Sequence, residues 1–324
     1  MTSLPGFDEL NHWADDRARG VEVAVVGGDD PTVLAALEAA VRRGWIRPRV
    51  VGAEAAVRSL ANELCVSVDG IDFVPCAPED AAATAVAEVR SGRARAVMKG
   101  QIATPALLKA ILDPEAGLRT ERVICQVVLM EVPRDGRRFL LADTGITIRP
   151  SFTQKAEILH ATVEVAHALG LARPRVALLA ASETVRDSMP ETLHAQELSR
   201  SYGQSATARC EVQGPLSFDL AYASDAGARK RIGGSVVGAA DAMIFPDLLS
   251  ANLTVKAIMY TADCHFGGVL RGTSAPVVFM SRADDTPTRL NSLALALSIL
   301  DSYPQSQGSP ARDVSGPPDA DRPG

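Results

Sequence analysis

From Val21 onward, short runs of β-branched residues alternate with longer stretches of helical periodicity, a pattern that commits the chain to an α/β fold. Val21–Val26 reads as a strand, and Thr32–Arg43 as a helix closed by Gly44. Arg49–Gly52, Ile71–Pro75 and Ala94–Met98 read as further strands, with a helix over Pro78–Arg90. Strands separated by helices run parallel and are covered on both faces. After a helix at Thr104–Leu112 the rhythm changes. Val123–Val132 and Arg138–Ala142 flank Pro133-Arg134-Asp135-Gly136, the turn chemistry of an antiparallel hairpin.

A second series follows. It comprises a helix over Thr153–Leu169, a strand at Arg175–Ala180 and a helix over Pro190–Tyr202. Strands are expected near Ala208–Val212, Ala242–Phe245 and Pro276–Met280, with a helix at Asn252–Cys264 and a last, largely apolar helix at Thr288–Leu300. The expected organisation is two α/β domains dividing near Ile146–Ser151. The first is residues 1–147 joined by the last helix (286–303), the second is residues 148–285, and the active site lies in the cleft between them. Residues 304–324, rich in Ser, Gly, Pro, Asp and Arg, read as a disordered tail.

The 324 residues are 47% hydrophobic, enough for a large core. A net charge of −6 with no offsetting basic run argues against a general nucleic-acid binder. The five cysteines are odd in number and never in a Cys-x-x-Cys pair, which fits reduced thiols better than disulfides or a zinc site. The N-terminus lacks the basic and apolar regions of a signal peptide, and no apolar run nears the ~18 residues of a membrane span. A cytoplasmic protein is expected.

Two junctions carry the chemistry. Ala275–Pro287 runs from an apolar strand through Ser281-Arg282-Ala283-Asp284-Asp285 to Thr286-Pro287, an N-cap and first helical position. Ala94–Pro105 repeats the design: a strand ends at Lys99-Gly100 and Thr104-Pro105 opens a helix. Each places a basic residue and a helix N-terminus at the carboxyl end of a strand, where α/β proteins bind anions. Thr-Pro is also simply a good helix start, and the acids Asp284 and Asp285 equally suit the first turn of the next helix. At a third junction, Pro246-Asp247 ends a strand and Ser250-Ala251-Asn252 leads into a helix bearing Lys256. Asn252 reads as an N-cap or as an amide donor to a substrate oxygen.

Together these segments resemble the phosphate acetyl/butyryltransferase family. The matching elements are Met98-Lys99-Gly100 with Thr104, Ala142-Asp143-Thr144-Gly145-Ile146 with Pro150, and Leu179 through Glu183. Met189-Pro190-Glu191-Thr192, Gly214 through Ala221, Phe245-Pro246-Asp247 through Asn252 to Lys256, and Pro276 through Asp284 complete the set, in the family's order from about Val21 to Leu300. The resemblance implies a two-domain fold like that of isocitrate/isopropylmalate dehydrogenases. It also implies reversible transfer of a short acyl group between coenzyme A and phosphate, with coenzyme A as substrate, no bound cofactor or metal, and a homodimer or larger assembly. By the same resemblance, Arg282, Lys99, Gly100 and Thr104 hold phosphate and Ser281 and Asn252 assist the acyl centre. Asp284, with Asp285 in reserve, takes the thiol proton, and Asp143, Glu183, Asp219 and Lys256 line the cleft.

Three positions depart from the family pattern. Ala251 replaces a glycine, implying strain or a reshaped oxyanion site where that glycine has φ > 0. Cys125-Gln126 replaces Ser-His, and Thr147 replaces an asparagine. Two other functions are weighed: a catalytically weakened CoA-binding or assembly module, and a same-fold oxidoreductase acting on a phosphorylated hydroxy substrate. His160, Glu164 and His167 share a helix face with metal-like spacing, but a solvated or subunit-facing stripe accounts for it. Val26–Asp30 lacks the glycine spacing of a dinucleotide fingerprint, Cys264-His265 has no orienting acid, and Arg229-Lys230-Arg231 suits either a CoA phosphate or a charged turn.

Overall fold

The computed structural model describes residues 3–204, 209–279, 281 and 283–303. The strands are β1 (Val21–Val26), β2 (Ile46–Val51), β3 (Asp72–Val74), β4 (Ala96–Lys99), β5 (Cys125–Val132), β6 (Arg137–Ala142), β7 (Arg175–Leu179), β8 (Glu211–Leu216), β9 (Ala242–Ile244), β10 (His265–Arg271) and β11 (Val277–Val278). They form one sheet in the order β3-β2-β1-β4-β11-β10-β5-β6-β9-β7-β8. β1 to β4 and β11 run parallel, β10 pairs antiparallel with both β11 and β5, and β5–β6 is the expected hairpin.

Helices cover both faces because successive strand residues face opposite ways. Val23 and Val25 face a core shared with α1 (Phe7–Arg17), α2 (Pro31–Arg42), α6 (Phe152–Ala168), α7 (Pro190–Gln204) and α11 (Thr286–Ser298). Ala24 and Val26 face a second core under α4 (Ala81–Arg90) and α5 (Thr104–Leu112). Further along the sheet, Val128 and Met130 of β5 pack beneath α8 (Phe218–Tyr222), α9 (Ala226–Lys230) and α10 (Leu248–Thr261). α3 (Glu54–Leu64) follows β2. The last helix does return to the start of the chain: α11 is buried along almost its whole length and packs on α1, α2 and β10.

β11 is only two residues long, yet it joins the two halves of the sheet. Val277 and Val278 pair with Val97 and Met98 of β4 on one side and with Leu270 and Val269 of β10 on the other. The strand–loop–helix junctions after β4 and β11 therefore sit side by side, at the same end of adjacent parallel strands.

The structure also holds elements that the pattern of the sequence did not announce. β10 begins His265-Phe266-Gly267-Gly268, and paired glycines suppress the strand signal. The first is there for packing: a Cβ on Gly267 would lie 2.9 Å from backbone atoms of Asn291 and Ser292, so α11 presses directly on the strand. α3 ends with Cys65 in the left-handed conformation (φ 54°) rather than at a glycine, so it lacks a stop signal. α1 starts at an uncharged Gly6 cap. The start of the strand expected at Ala208–Val212 and the whole tail from residue 304 lie outside the described residues. No helix among those described is long and apolar enough to cross a membrane.

Candidate active site

A pocket of about 250 Å³ opens between α10, the centre of the sheet and the β11–α11 junction. Thr104, Asn252, Lys256, Ser281 and Asp284, all singled out from the sequence, lie on its wall together with Gln126, Thr144, Gly145 and Ser292.

Helix capping decides which acid faces the pocket. Asp285 is the N-cap of α11, its Oδ1 accepting the Thr288 N–H at 2.9 Å, while Thr286 and Pro287 lie in the first turn. The cap falls one residue earlier than the sequence suggested, because a carboxylate outcompetes a hydroxyl for that N–H. Asp285 is thereby occupied, and Asp284 turns into the pocket. Its Oδ2 accepts the Ser281 N–H at 2.8 Å, tying the two residues together. Burial pushes the Asp284 carboxyl above the ordinary aspartate range, a rise opposed by the Ser281 N–H and by Arg289 and Lys256 and reinforced by Asp285.

The facing wall is set by α10. Its N-cap is Asp247, whose side chain accepts the Ser250 N–H at 2.8 Å, so the helix opens at Leu248. Asn252 is therefore inside the helix and not its cap. Four residues apart, Asn252 and Lys256 share one helical face and both reach the pocket. Ala251 is fully buried in the first turn with helical geometry, so the strain expected from alanine at this position is absent.

Gln126 also lines the site. Its Nε2 donates to the Phe279 carbonyl at 3.0 Å, linking β5 to the strand end that leads to Ser281. A Cβ on Gly145 would lie 2.0 Å from its Oε1, so Gly145 leaves the space that this side chain fills. Sequence reasoning noted Gln126 only as a departure; its position beside the β11 junction required the sheet order.

The other described residues selected from the sequence do not line this pocket. Lys99 ends β4 with its side chain 1% exposed, and its Nζ lies 3.3 Å from the Gly100 carbonyl. Gly100 abuts the β1–α2 turn: a Cβ there would meet the Gly27 carbonyl oxygen at 2.1 Å, and its N–H donates to Val26 at 2.7 Å. Asp143 organises the loop after β6. Its carboxylate accepts from the N–H groups of Gln126 (2.9 Å), Gly145 (3.0 Å), Ile146 (3.2 Å) and Thr147 (2.7 Å). Burial raises the Asp143 carboxyl despite these donors. Glu183 and Asp219 gather elsewhere, around Lys230, whose Nζ is 2.7 Å from Glu183 and 3.0 Å from Asp219, with the Ser217 hydroxyl between them. Arg282 lies outside the described residues.

Two further motifs find structural partners. Glu164 of the metal-like stripe pairs with Arg271 at 2.9 Å and Arg122 at 3.2 Å. Burial raises the Cys264 thiol, and the adjacent His265 faces Glu131 at 3.6 Å.

A buried carboxylate of raised proton affinity, a serine, an amide and an ammonium thus meet in one cleft beside a helix N-terminus, a set able to bind an anion and accept a proton. Comparison with known proteins agrees with this chemistry. The phosphate acetyl/butaryl transferase family signature matches residues 76–297. A phosphate butyryltransferase of Clostridium acetobutylicum is 36% identical over 279 residues, covering 86% of this chain and 93% of that protein. A phosphate acetyltransferase of Thermotoga maritima is 34% identical over 280 residues, covering 86% and 95%. Among solved structures, a branched-chain phosphotransacylase from Enterococcus faecalis superposes with a TM-score of 0.76 at 31% identity, over 86% of this chain and 99% of that one. With more than half of its length matched by the family signature, the chain belongs to the phosphate acetyl/butaryl transferase family.

Proposed function

We propose that this protein reversibly transfers a short acyl group between coenzyme A and inorganic phosphate in a ternary complex. The observation that carries the reading is the convergence of Ser281, Asp284, Asn252 and Lys256 in one cleft at the end of β11. In the direction of CoA acylation, Asp284 takes the thiol proton. The sulfur then attacks the carbonyl carbon of the acyl phosphate, the S–C bond forms, and the C–O bond to phosphate breaks. A free thiol has a pKa of about 8.5, and a carboxylate whose proton affinity is raised by burial is closer to it than an exposed one. The Ser281 hydroxyl steadies the thiol, and Asn252 and Lys256 face the oxygen on which negative charge develops. Arg282 is assigned to clamp the phosphate bidentately, with Thr104 and the α11 N-terminus assisting it. Lys99 and Gly100 lie at the end of the neighbouring strand, where the lysine adds positive potential.

The same reading assigns two units, residues 1–147 with 286–303 and residues 148–285, joined in the fold of isocitrate/isopropylmalate dehydrogenases. The pocket draws its wall from both segments, which supports this division. It also assigns the cytoplasm as location. A homodimer accounts for the exposed Leu249, Leu253 and Tyr260 on α10 and for Ile148, which is 70% exposed. Light scattering should show twice the chain mass, reduced to a single chain by Leu253→Asp.

The activity is checked by phosphate-dependent release of free thiol from acetyl-, propionyl- and butyryl-CoA. Turnover is expected with at least one of them, and Arg282→Ala should abolish phosphate saturation. Measurable CoA binding with no turnover of any acyl chain would favour a binding module instead.

A further inference from the structure

The cleft has an apolar side that the proton transfer and the phosphate do not use. Val128 of β5, Phe266 of β10, and Val255 and Met259 of α10 belong to a single packed cluster and all reach the pocket wall. Ser281 and Asp284 line the same pocket. The floor is Gly268, directly opposite Val128 in the β10–β5 pairing.

Gly268 contributes no side chain to this wall, and its neighbours stand close around it. A Cβ there would stand 3.1 Å from Gln126 Nε2, 3.2 Å from Val128 Cγ2 and 3.7 Å from the Phe279 carbonyl oxygen, all pocket-wall residues. Unlike Gly267, whose Cβ would collide with the backbone of α11, Gly268 faces the cavity. Its φ lies outside the left-handed region, so the backbone conformation does not itself demand glycine. The N–H of Gly268 donates to Ser292 Oγ at 3.0 Å, which fixes the strand at this point.

We propose that Gly268, Val128, Val255, Met259 and Phe266 form a slot for the hydrocarbon part of the acyl group, deep enough to favour a four-carbon, straight or branched chain over acetyl. This rests on the acyltransferase reading above. The reacting carbonyl sits at the polar wall, near Asn252 and Asp284, and the chain runs from it over Gly268 toward Phe266. Acetyl leaves the slot unfilled. Butyryl places two more methylene-sized groups against apolar walls, and the slot rather than the chemistry sets the chain-length preference.

The test is kcat/KM for acetyl-, butyryl- and hexanoyl-CoA with saturating phosphate, measured on the full chain and on Gly268→Ala and Met259→Ala. The native protein should favour butyryl over acetyl by at least about tenfold, since each well-packed methylene gives several-fold. Gly268→Ala raises the floor by one methyl group and should lower the butyryl-to-acetyl ratio by about tenfold. Met259→Ala, on a partly exposed helix position, lengthens the slot and should raise the hexanoyl-to-butyryl ratio. A native profile flat from acetyl to hexanoyl, or variants that lower all three substrates in parallel, would overturn the slot while leaving the acyltransferase reading intact. Absence of turnover with every acyl-CoA would instead refute that reading, and the slot with it.

Discussion

Asp284→Asn is expected to lower turnover by about 10²- to 10⁴-fold, the usual contribution of a positioned general base. The asparagine can still accept the Ser281 N–H, so the loop keeps its shape and the loss reports the missing proton acceptor. In the native protein, acylation of CoA should show an acidic limb set by Asp284. Because burial raises this carboxyl, the limb should lie above the normal aspartate range near 3.8. The stability consequence has the opposite sign. A carboxyl with a raised folded pKa binds its proton more tightly in the native state, so the fold is favoured at low pH and loses stability as pH rises from the unfolded pKa through the folded one. Asp284→Asn removes that loss. Its melting temperature should exceed the native value at pH 7, with the gap closing in acid. Equal melting temperatures at both pH values would show that the carboxylate carries no burial penalty, and undisturbed turnover would remove Asp284 from the mechanism.

The second large effect concerns Arg289 of α11, which is fully buried. Its Nε donates to Thr32 Oγ1 at 2.8 Å, and Nη2 stands 4.0 Å from Asp30, while neither terminal nitrogen has a hydrogen-bond partner among the described residues. The guanidinium is held mainly by the field of Asp30, Asp284 and Asp285, and burial lowers its proton affinity. Arg289→Ala removes both its packed volume and the only buried cation facing those acids from α11. About 3–5 kcal/mol of stability should be lost, as when one member of a buried charge pair is deleted. Arg289→Met retains most of the volume and isolates the charge. It should cost less stability yet move the acidic limb of the rate profile to higher pH, since Arg289 opposes the rise at Asp284. Denaturant unfolding measures the first effect and a pH–rate profile the second. A limb that stays in place in Arg289→Met would separate Asp284 from the observed ionisation.

Much of this site was legible because it depends on local chemistry. Strand-end motifs at Lys99-Gly100 and Ser281–Asp285 can be read from residue type and order, and the parallel pairing of β4 with β11 sets these two ends side by side. What the linear pattern could not supply was pairing order. Nothing in Val277–Val278 says that this strand would lie between β4 and β10, and so bring the two junctions together. The assignment of the acids needed the cap: Asp284 and Asp285 are chemically alike, and only the start of α11 separates a helix cap from a pocket wall. Asn252 changed meaning for the same reason, once Asp247 was found capping α10. Glu183 and Asp219 belong to family-like motifs, but their charges are engaged by Lys230 rather than presented to the pocket. The apolar slot stayed hidden because its defining residue, Gly268, contributes an absent side chain within a strand weakened on paper by its own glycines.

The two-residue β11 has a consequence for how the protein is made. A ribosome delivers β1 to β10 before Val277 emerges, and until then the strands can assemble only as two separate sheets, one ending at β4 and the other at β10. The segment that bridges them also carries Ser281 and Asp284, and the helix that seals it onto α1 and α2 follows directly after it. A nascent chain therefore cannot assemble this pocket until α11 has emerged, and chains interrupted before that leave facing strand edges exposed. Such fragments should be prone to aggregation, a liability that the finished molecule escapes once β11 closes the seam.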